Sequence, residues 1–440
     1  MNIEQLKENV IEIIDLHKDE IIALGRKIYQ NPEYGYKEFK TSELVSNFLE
    51  EKLELDVEKE IAITGCKTTL NSNATGPHLA ILGELDGITC PEHVDANEIG
   101  ASHTCGHNIQ IAGMIGAAIG LLKSDAIKSL DGKVSLIATP AEEFIELEYR
   151  QKLKNEGKIT YFGGKQELIH RGYFDDVDIS MMFHVLNMSD GKKALVGPES
   201  NGFIGKNVRF IGQESHAGSA PHEGVNALNA AMLAINNVNA LRETFTESEH
   251  IRFHPILTKA GDIVNVVPAD VRMESYVRAR TIPGMTEANE KINRALLAGG
   301  MAVGAEVRIT EIPGYFPILR YPALDNLFKN NLVQLGVKEE EIVEGAGFAG
   351  SFDFGDVSHL MPTLHPMIGG IKGALHTRDF EVIDEELAYI VPAKTMAMTA
   401  IDLLFNQAER AYKILEDFKP PMTKEEYLAF QAQNDRTITM

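Results

Sequence analysis

The sequence predicts a two-domain α/β protein in which a mixed-sheet α/β/α domain is interrupted by a smaller α+β domain. Three observations lead there. The 440-residue chain exceeds the size at which a single hydrophobic core stops growing. Its first half alternates short apolar runs with helical patterns, as a layered α/β domain does. From about Gly197 the pattern switches to alternating, half-exposed strands with two helices, and after Pro313 it returns to helix, strand and a long C-terminal helix.

Residues 1–24 are charged throughout and carry the periodicity of one amphipathic helix, without the apolar core of a signal peptide. His78-Leu79-Ala80-Ile81-Leu82-Gly83-Glu84-Leu85 reads as a buried strand ending at Asp86-Gly87. Residues 109–123 form a helix whose small residues (Ala112, Gly113, Gly116, Ala117, Ala118) suit close packing. Residues 133–139 and 178–183 give two more buried strands. Further on, residues 206–211 alternate like a half-exposed strand, residues 225–244 are helical, two strand-like stretches flank Gly261, and residues 286–298 are helical. That order suggests a small antiparallel sheet covered on one face. The last long helix starts at about Glu385. Residues 1–197 and 314–420 are therefore expected to form one domain, residues 198–313 an insertion, and residues 421–440, beyond Pro420-Pro421, a peripheral tail. No run approaches the roughly 18 apolar residues of a membrane span.

Composition excludes some partners. A chain 44% hydrophobic and 24% charged is an ordinary soluble globular one. The 64 acidic against 42 basic residues leave a formal charge of −22, a field that repels phosphate backbones and anionic lipid, so neither nucleic acid nor a membrane is an expected partner. The three cysteines, Cys66, Cys90 and Cys105, argue against a disulfide framework and for a reducing compartment, by default the cytoplasm.

The chemistry concentrates in Ser102-His103-Thr104-Cys105-Gly106-His107-Asn108, Pro140-Ala141-Glu142-Glu143 and His184. Singly, each Cys or His beside an apolar run is an ordinary packed residue. Together they supply the thiolate, imidazole and carboxylate that a water-activating metal site needs. Cys105 and His107 lie two apart in a short turn before a helix, where both side chains can converge. Adjacent Glu142 and Glu143 can divide the work of metal ligand and proton shuttle. Asp86, the Glu pair and His184 follow strands, and the crevice at the carboxyl ends of strands is where open α/β sheets bind ligands. A rival reading makes Cys105 a nucleophile activated by His107, but it leaves no third orienting group and no task for the Glu pair.

The chain resembles the amidohydrolase branch of the two-metal aminoacylase and glutamate carboxypeptidase family, which includes auxin-conjugate hydrolases, aminobenzoyl-glutamate hydrolase and β-alanyl dipeptidases. The likeness begins at Arg26 and Asn31-Pro32-Glu33-Tyr34-Gly35. It runs through Glu84-Leu85-Asp86-Gly87, Cys105-Gly106-His107-Asn108, Pro140-Ala141-Glu142-Glu143, Phe174-Asp175-Asp176-Val177-Asp178 and His184. It continues with Ser215-His216-Ala217, Pro221-His222, Asn265-Val266-Val267-Pro268, Tyr276-Val277-Arg278, Asp356-Val357-Ser358 and Leu375-His376-Thr377.

The resemblance implies a ferredoxin-like lid and dimerisation domain, a homodimer, and two divalent ions, Zn or Mn. Cys105 would bridge them, with Glu143 and His376 on one ion and His107 and His184 on the other. Glu142 would be the general base, and Asp86 would orient a ligand from behind. His216 and Asn265 would stabilise the oxyanion. Arg278, with His222, would bind substrate, its guanidinium suited to a carboxylate. The expected activity is hydrolysis of the amide of an N-acyl amino acid, an aminobenzoyl-glutamate-like conjugate or a small dipeptide, with the lid closing on substrate. Asn108 stands where many auxin-conjugate hydrolases carry Asp, which favours the other two groups.

One departure stands out. Relatives pass from the Glu pair directly into a glycine-rich stretch, whereas here residues 144–162, rich in Lys and Glu, precede Gly163-Gly164-Lys165. This insertion is expected to reshape the mouth of the site. Had it closed the site, the chain would be an inactive relative that binds a metabolite or partner.

Overall fold

The computed structural model describes residues 2–440. The chain divides into two compact units. The first comprises the N-terminal stretch through Pro198, Leu319–Gly347 and Val357–Pro421; the second comprises Glu199–Ile318, Phe348–Asp356 and Met422–Met440.

A six-stranded mixed sheet organises the first unit, in the order Glu58–Ile61, Gly65–Leu70, Lys133–Thr139, His78–Glu84, Ile179–Met181 and Thr363–Leu364. The two outer strands on one side run antiparallel and the remaining neighbours pair in parallel. The His78–Glu84 strand is buried along its whole length, as a central strand covered on both faces must be. A smaller four-stranded sheet carries His184–Val185 at one edge.

Helix His107–Lys123 is apolar all round and buried through Leu121, the pattern of a helix enclosed by protein rather than lying on a surface. Its small residues set how closely neighbours approach. A Cβ on Gly113 would meet the Phe183 ring at 2.5 Å, and one on Gly116 would meet Ala393 Cβ at 2.8 Å. The partner helix, Glu386–Leu404, is long and apolar enough to cross a membrane by length and composition, contrary to the sequence reading; 89% of its apolar window is buried in the first unit's core. The N-terminal segment also differs from the single helix expected. It breaks at His17 into Ile3–Leu16 and Lys18–Tyr29, so that Val10, Ile14, Ile21 and Ile28 all face the core.

The second unit is a five-stranded antiparallel sheet, in the order Arg252–Lys259, Asp270–Ala279, Gly202–Ile211, Glu306–Ile312 and Thr437–Thr439. Helices Ala227–Ala240 and Ile282–Met301 pack on it through a core that includes Phe210, Val271, Ile292 and Val307.

Of residues 421–440, expected as a peripheral tail, Met422–Met440 are an integral part of this unit. Helix Lys424–Gln433 buries Tyr427, whose hydroxyl donates to Asp356 Oδ1 at 2.8 Å. The β-branched Thr437–Thr439 then pairs with the edge of Glu306–Ile312, and Arg436 Nε donates to Glu311 Oε2 at 2.6 Å. An edge strand leaves a row of backbone groups without partners, and a short terminal strand satisfies them. Three residues are too few to show a period in sequence.

Candidate metal centre

Strand ends position the site. Glu84 closes the central strand, Asp86 follows two residues on, and the Glu142-Glu143 pair follows the neighbouring strand Lys133–Thr139. Gly106 precedes helix His107–Lys123 with φ +82°, a left-handed conformation that glycine adopts without cost; it turns the chain so that Cys105 and His107 both point inward. His376 comes from a distant loop, itself left-handed at φ +62°, and its backbone N–H is tied to Thr104 O at 2.9 Å.

These elements bring two donor groups together, Cys105 with His107 and His184, and Cys105 with Glu143 and His376. Cys105 Sγ lies 3.4 Å from His184 Nε2 and 3.2 Å from His376 Nε2, and His376 Nε2 lies 3.0 Å from Glu143 Oε1. A third group adds Glu84 and Glu142 to His107, with His107 Nε2 at 3.1 Å from Glu84 Oε2 and 3.9 Å from Glu142 Oε2. All are buried except His376, which is exposed on one side.

Several donor atoms fit a cation better than they fit one another. Glu84 Oε2, His107 Nε2 and Glu143 Oε1 are buried without a hydrogen bond, although their neighbours lie within about 3 Å. Atoms that converge at contact distance but in directions unsuited to a shared proton are what a metal's ligands present, and buried polar atoms otherwise rarely go without partners. Thiolate, imidazole and carboxylate are also a donor set for Zn or a comparable divalent ion. The residues therefore fit a metal site.

Electrostatics favour the anionic, binding form of the thiol and carboxylates. Against burial, which opposes them, the same anions raise His107, His184 and His376, so a cation binds there by displacing imidazole protons. Burial and Glu143 push the Cys105 thiol up, but His107, His376 and His184 outweigh them and bring it down to about 6. Burial likewise raises the Glu84 carboxyl, and Lys165, His107 and His184 overcome it, holding it at about 2. Behind His107, Nδ1 faces Asp86 Oδ1 at 3.2 Å and the Asp86 carbonyl at 2.8 Å. That contact fixes the tautomer and leaves Nε2 for the metal.

The other residues singled out in the sequence lie in the second unit. His216 and Asn265 sit on adjoining loops, joined by Ala217 N–H to Asn265 O at 2.9 Å. His216 Nδ1 accepts the N–H groups of Gly218 and Ser219 at 3.2 and 3.1 Å, so Nε2 carries the proton and can donate. His222 is exposed on the short turn Pro221–Glu223. Arg278 stacks over Phe203 and Tyr276, each ring centre 5.3 Å away, and donates to Ser351 Oγ at 2.7 Å.

Sequence reasoning missed three residues near the centre. Glu84 stood inside a quoted motif without a role. Lys165 Nζ lies 2.5 Å from Glu84 Oε1, the pair fully buried. Glu38 accepts the Ala141 N–H at 2.8 Å and the Thr64 hydroxyl at 2.6 Å. No periodicity marks an acid or a lysine that turns inward at a loop.

Comparison with known proteins bears on this arrangement. Residues 199–298 match the family model for the peptidase dimerisation domain. The mouse (Mus musculus) and human (Homo sapiens) Xaa-Arg dipeptidases are each 28% identical, the alignments covering 97% of this chain and 95% of theirs. An N-acyl-L-amino acid amidohydrolase of Geobacillus stearothermophilus is 24% identical over 72% of this chain and 82% of its own. The crystal structure of a Bacillus subtilis dinuclear metal-binding peptidase of the M20 family shares the fold, with a TM-score of 0.66 and 20% identity over 89% of this chain and 99% of that one.

Fold and relatives together define a metal-dependent hydrolase of amide bonds. The chain carries a peptidase dimerisation domain and is similar over nearly its whole length to dipeptidases of this kind.

Proposed function

We propose that this protein is a homodimeric dipeptidase-type amidohydrolase that uses two divalent ions, Zn or Mn, to release a C-terminal amino acid from a small dipeptide or N-acyl amino acid. The observation that carries the reading is the sharing of Cys105 between two ligand groups, with Glu142 beside His107. The near full-length likeness to Xaa-Arg dipeptidases favours a dipeptide with a basic C-terminal residue, and a chain of formal charge −22 draws cationic substrates toward it.

When bound, the ions polarise the scissile carbonyl and acidify the attacking water. Cys105, His107, Glu143, His184 and His376 would hold them, and Asp86 fixes the His107 ring. Glu142 accepts the proton of the attacking water at its carboxylate and passes it to the leaving nitrogen. His216, through Nε2–H, and Asn265 donate to the developing oxyanion. Arg278 and His222 bind substrate, the guanidinium directed at the free carboxylate. Dimerisation through the second unit is supported by the matched domain and by the exposed Ile256 and Leu257 on its edge strand. Three free cysteines, one at the metal centre, favour the cytoplasm.

The test is metal content per chain together with hydrolysis of Xaa-Arg and β-alanyl dipeptides, acyl amino acids and aminobenzoyl-glutamate, by wild type and Glu142→Ala. Two ions per chain, chelator-sensitive turnover and a metal-replete but inactive variant are expected. Metal-free protein would overturn the site, and two ions without turnover of any substrate would shift the reading to binding alone.

A further inference from the structure

Residues 144–162 do not simply line a rim. They form a helix, Leu147–Asn155, with Leu147, Arg150 and Leu153 turned inward, and Arg150 is completely buried. In a helix this rich in Lys and Glu, an arginine reads as a solvated residue; here it is the largest fully buried side chain.

Its partners are informative. Among the described residues, no carboxylate pairs with Arg150. Its Nη1 donates to Phe162 O at 2.7 Å and Ala141 O at 3.5 Å, and its Nη2 donates to Glu143 O. A guanidinium buried without a counter-ion is costly, yet this one, its Nε left without a partner, places its Nη groups on the Phe162 carbonyl and on the Ala141 and Glu143 carbonyls that flank Glu142. The same loop is held from two other sides. Ala141, left-handed at φ +52°, gives its N–H to Glu38, and Glu143 gives its N–H to Asp86 Oδ2 at 2.9 Å. Donor and acceptor groups of the loop are thus gripped together, and Arg150 supplies the carbonyl side.

The N-terminal motif completes the device. Lys37 Nζ pairs with Glu146 Oε1 at 2.6 Å, the Tyr149 hydroxyl donates to Tyr36 O at 3.3 Å, and the Tyr36 hydroxyl donates to Tyr161 O at 3.2 Å. Gly35 is glycine because a Cβ there would lie 2.5 Å from Arg150 Nη2 and 2.8 Å from Ala141 Cα.

We infer that the insertion is a clamp, and that Arg150 is a positioning residue that sets the backbone of the Glu142-Glu143 loop so that one carboxylate ligates metal while the other moves the proton. The inference rests on those two roles.

The experiment compares Arg150→Met and Arg150→Lys with wild type in the metal-loaded enzyme, and titrates each metal-free protein with Co2+. Arg150→Met is expected to lower kcat by about 30-fold or more with KM changed less than about threefold, and Arg150→Lys to recover part of the loss. Independently of turnover, one Co2+ equivalent, that held by Glu143, is expected to bind about tenfold more weakly and the other as in wild type. Should Arg150→Met fail to fold, Gly35→Ala, which presses on the same guanidinium, takes its place beside Arg150→Lys. Folded variants with kcat and both affinities within about twofold of wild type would overturn the clamp. So would equal loss of both equivalents with a lowered melting temperature, the sign of a merely structural role. Wild type lacking turnover on every substrate would refute the proposed activity, while the Co2+ titration would still report on the clamp.

Discussion

Asp86 and Glu143 are joined at the centre of the site: Asp86 Oδ2 accepts the Glu143 backbone N–H at 2.9 Å while its Oδ1 faces His107 Nδ1 at 3.2 Å. One buried carboxylate therefore braces a ligand from each donor group. Asp86→Ala is expected to weaken metal binding by about 10–100-fold and to lower kcat in step, read by titration against a chromophoric chelator. Unchanged affinity would show that packing alone holds the His107 ring.

Glu142 and Glu143 are adjacent in sequence and unlike in surroundings. Glu143 faces Cys105 and His376, whereas Glu142 faces His107 at 3.9 Å. Glu142→Gln keeps the shape and removes the base, so kcat should fall by about 10²–10⁴-fold with metal content at the wild-type value. Loss of an ion in this variant would reassign Glu142 as a ligand.

Cys105 belongs to both principal donor groups, and His376 to one. Cys105→Ser is therefore expected to lower the affinity of both ions, and His376→Ala that of one only. Calorimetric titration of each apoprotein separates the two outcomes, and a single weakened equivalent in Cys105→Ser would show that the thiolate does not bridge.

The site was more legible in the sequence than its support. Cys105, His107 and the Glu pair announce themselves because polar residues at strand and helix ends break apolar runs, and those breaks are local. His376 carries no such mark; only resemblance pointed to it, since the loop that returns it to Thr104 is a tertiary feature. Arg150 and Lys165 point inward against their composition, and a helix such as Leu147–Asn155 has too few apolar positions to show which face is buried. The strand Thr437–Thr439 is invisible for a related reason, because its pairing is fixed by an open edge formed far earlier in the chain.

That strand brings Arg436 to Glu311, which also accepts from Lys206, Asn289 and Asn293 at 2.7, 2.6 and 2.8 Å. Burial pushes the Glu311 carboxyl up, but Lys206 and these donors hold it at about 2, against an ordinary 4.5. Lys206 shifts in the opposing sense for stability: burial lowers it to about 8 and Glu311 restores it only in part. The two effects act in different windows, because below about pH 7 Lys206 is charged whether the chain is folded or not, so only Glu311 contributes on the acid side. With its folded value depressed, Glu311 stabilises the second unit fully above about 4.5, and that stability is lost as pH falls toward 2, where the folded form also takes up its proton. The loss is on the order of 3 kcal/mol. Glu311→Gln should flatten the fall in unfolding free energy between pH 5 and about 2.5, measured by denaturant titration along the series. It should also cost about 3–5 kcal/mol at pH 7 by leaving Lys206 buried without its counter-charge. An acid slope equal to that of wild type would show that other carboxylates govern the acid unfolding of this unit.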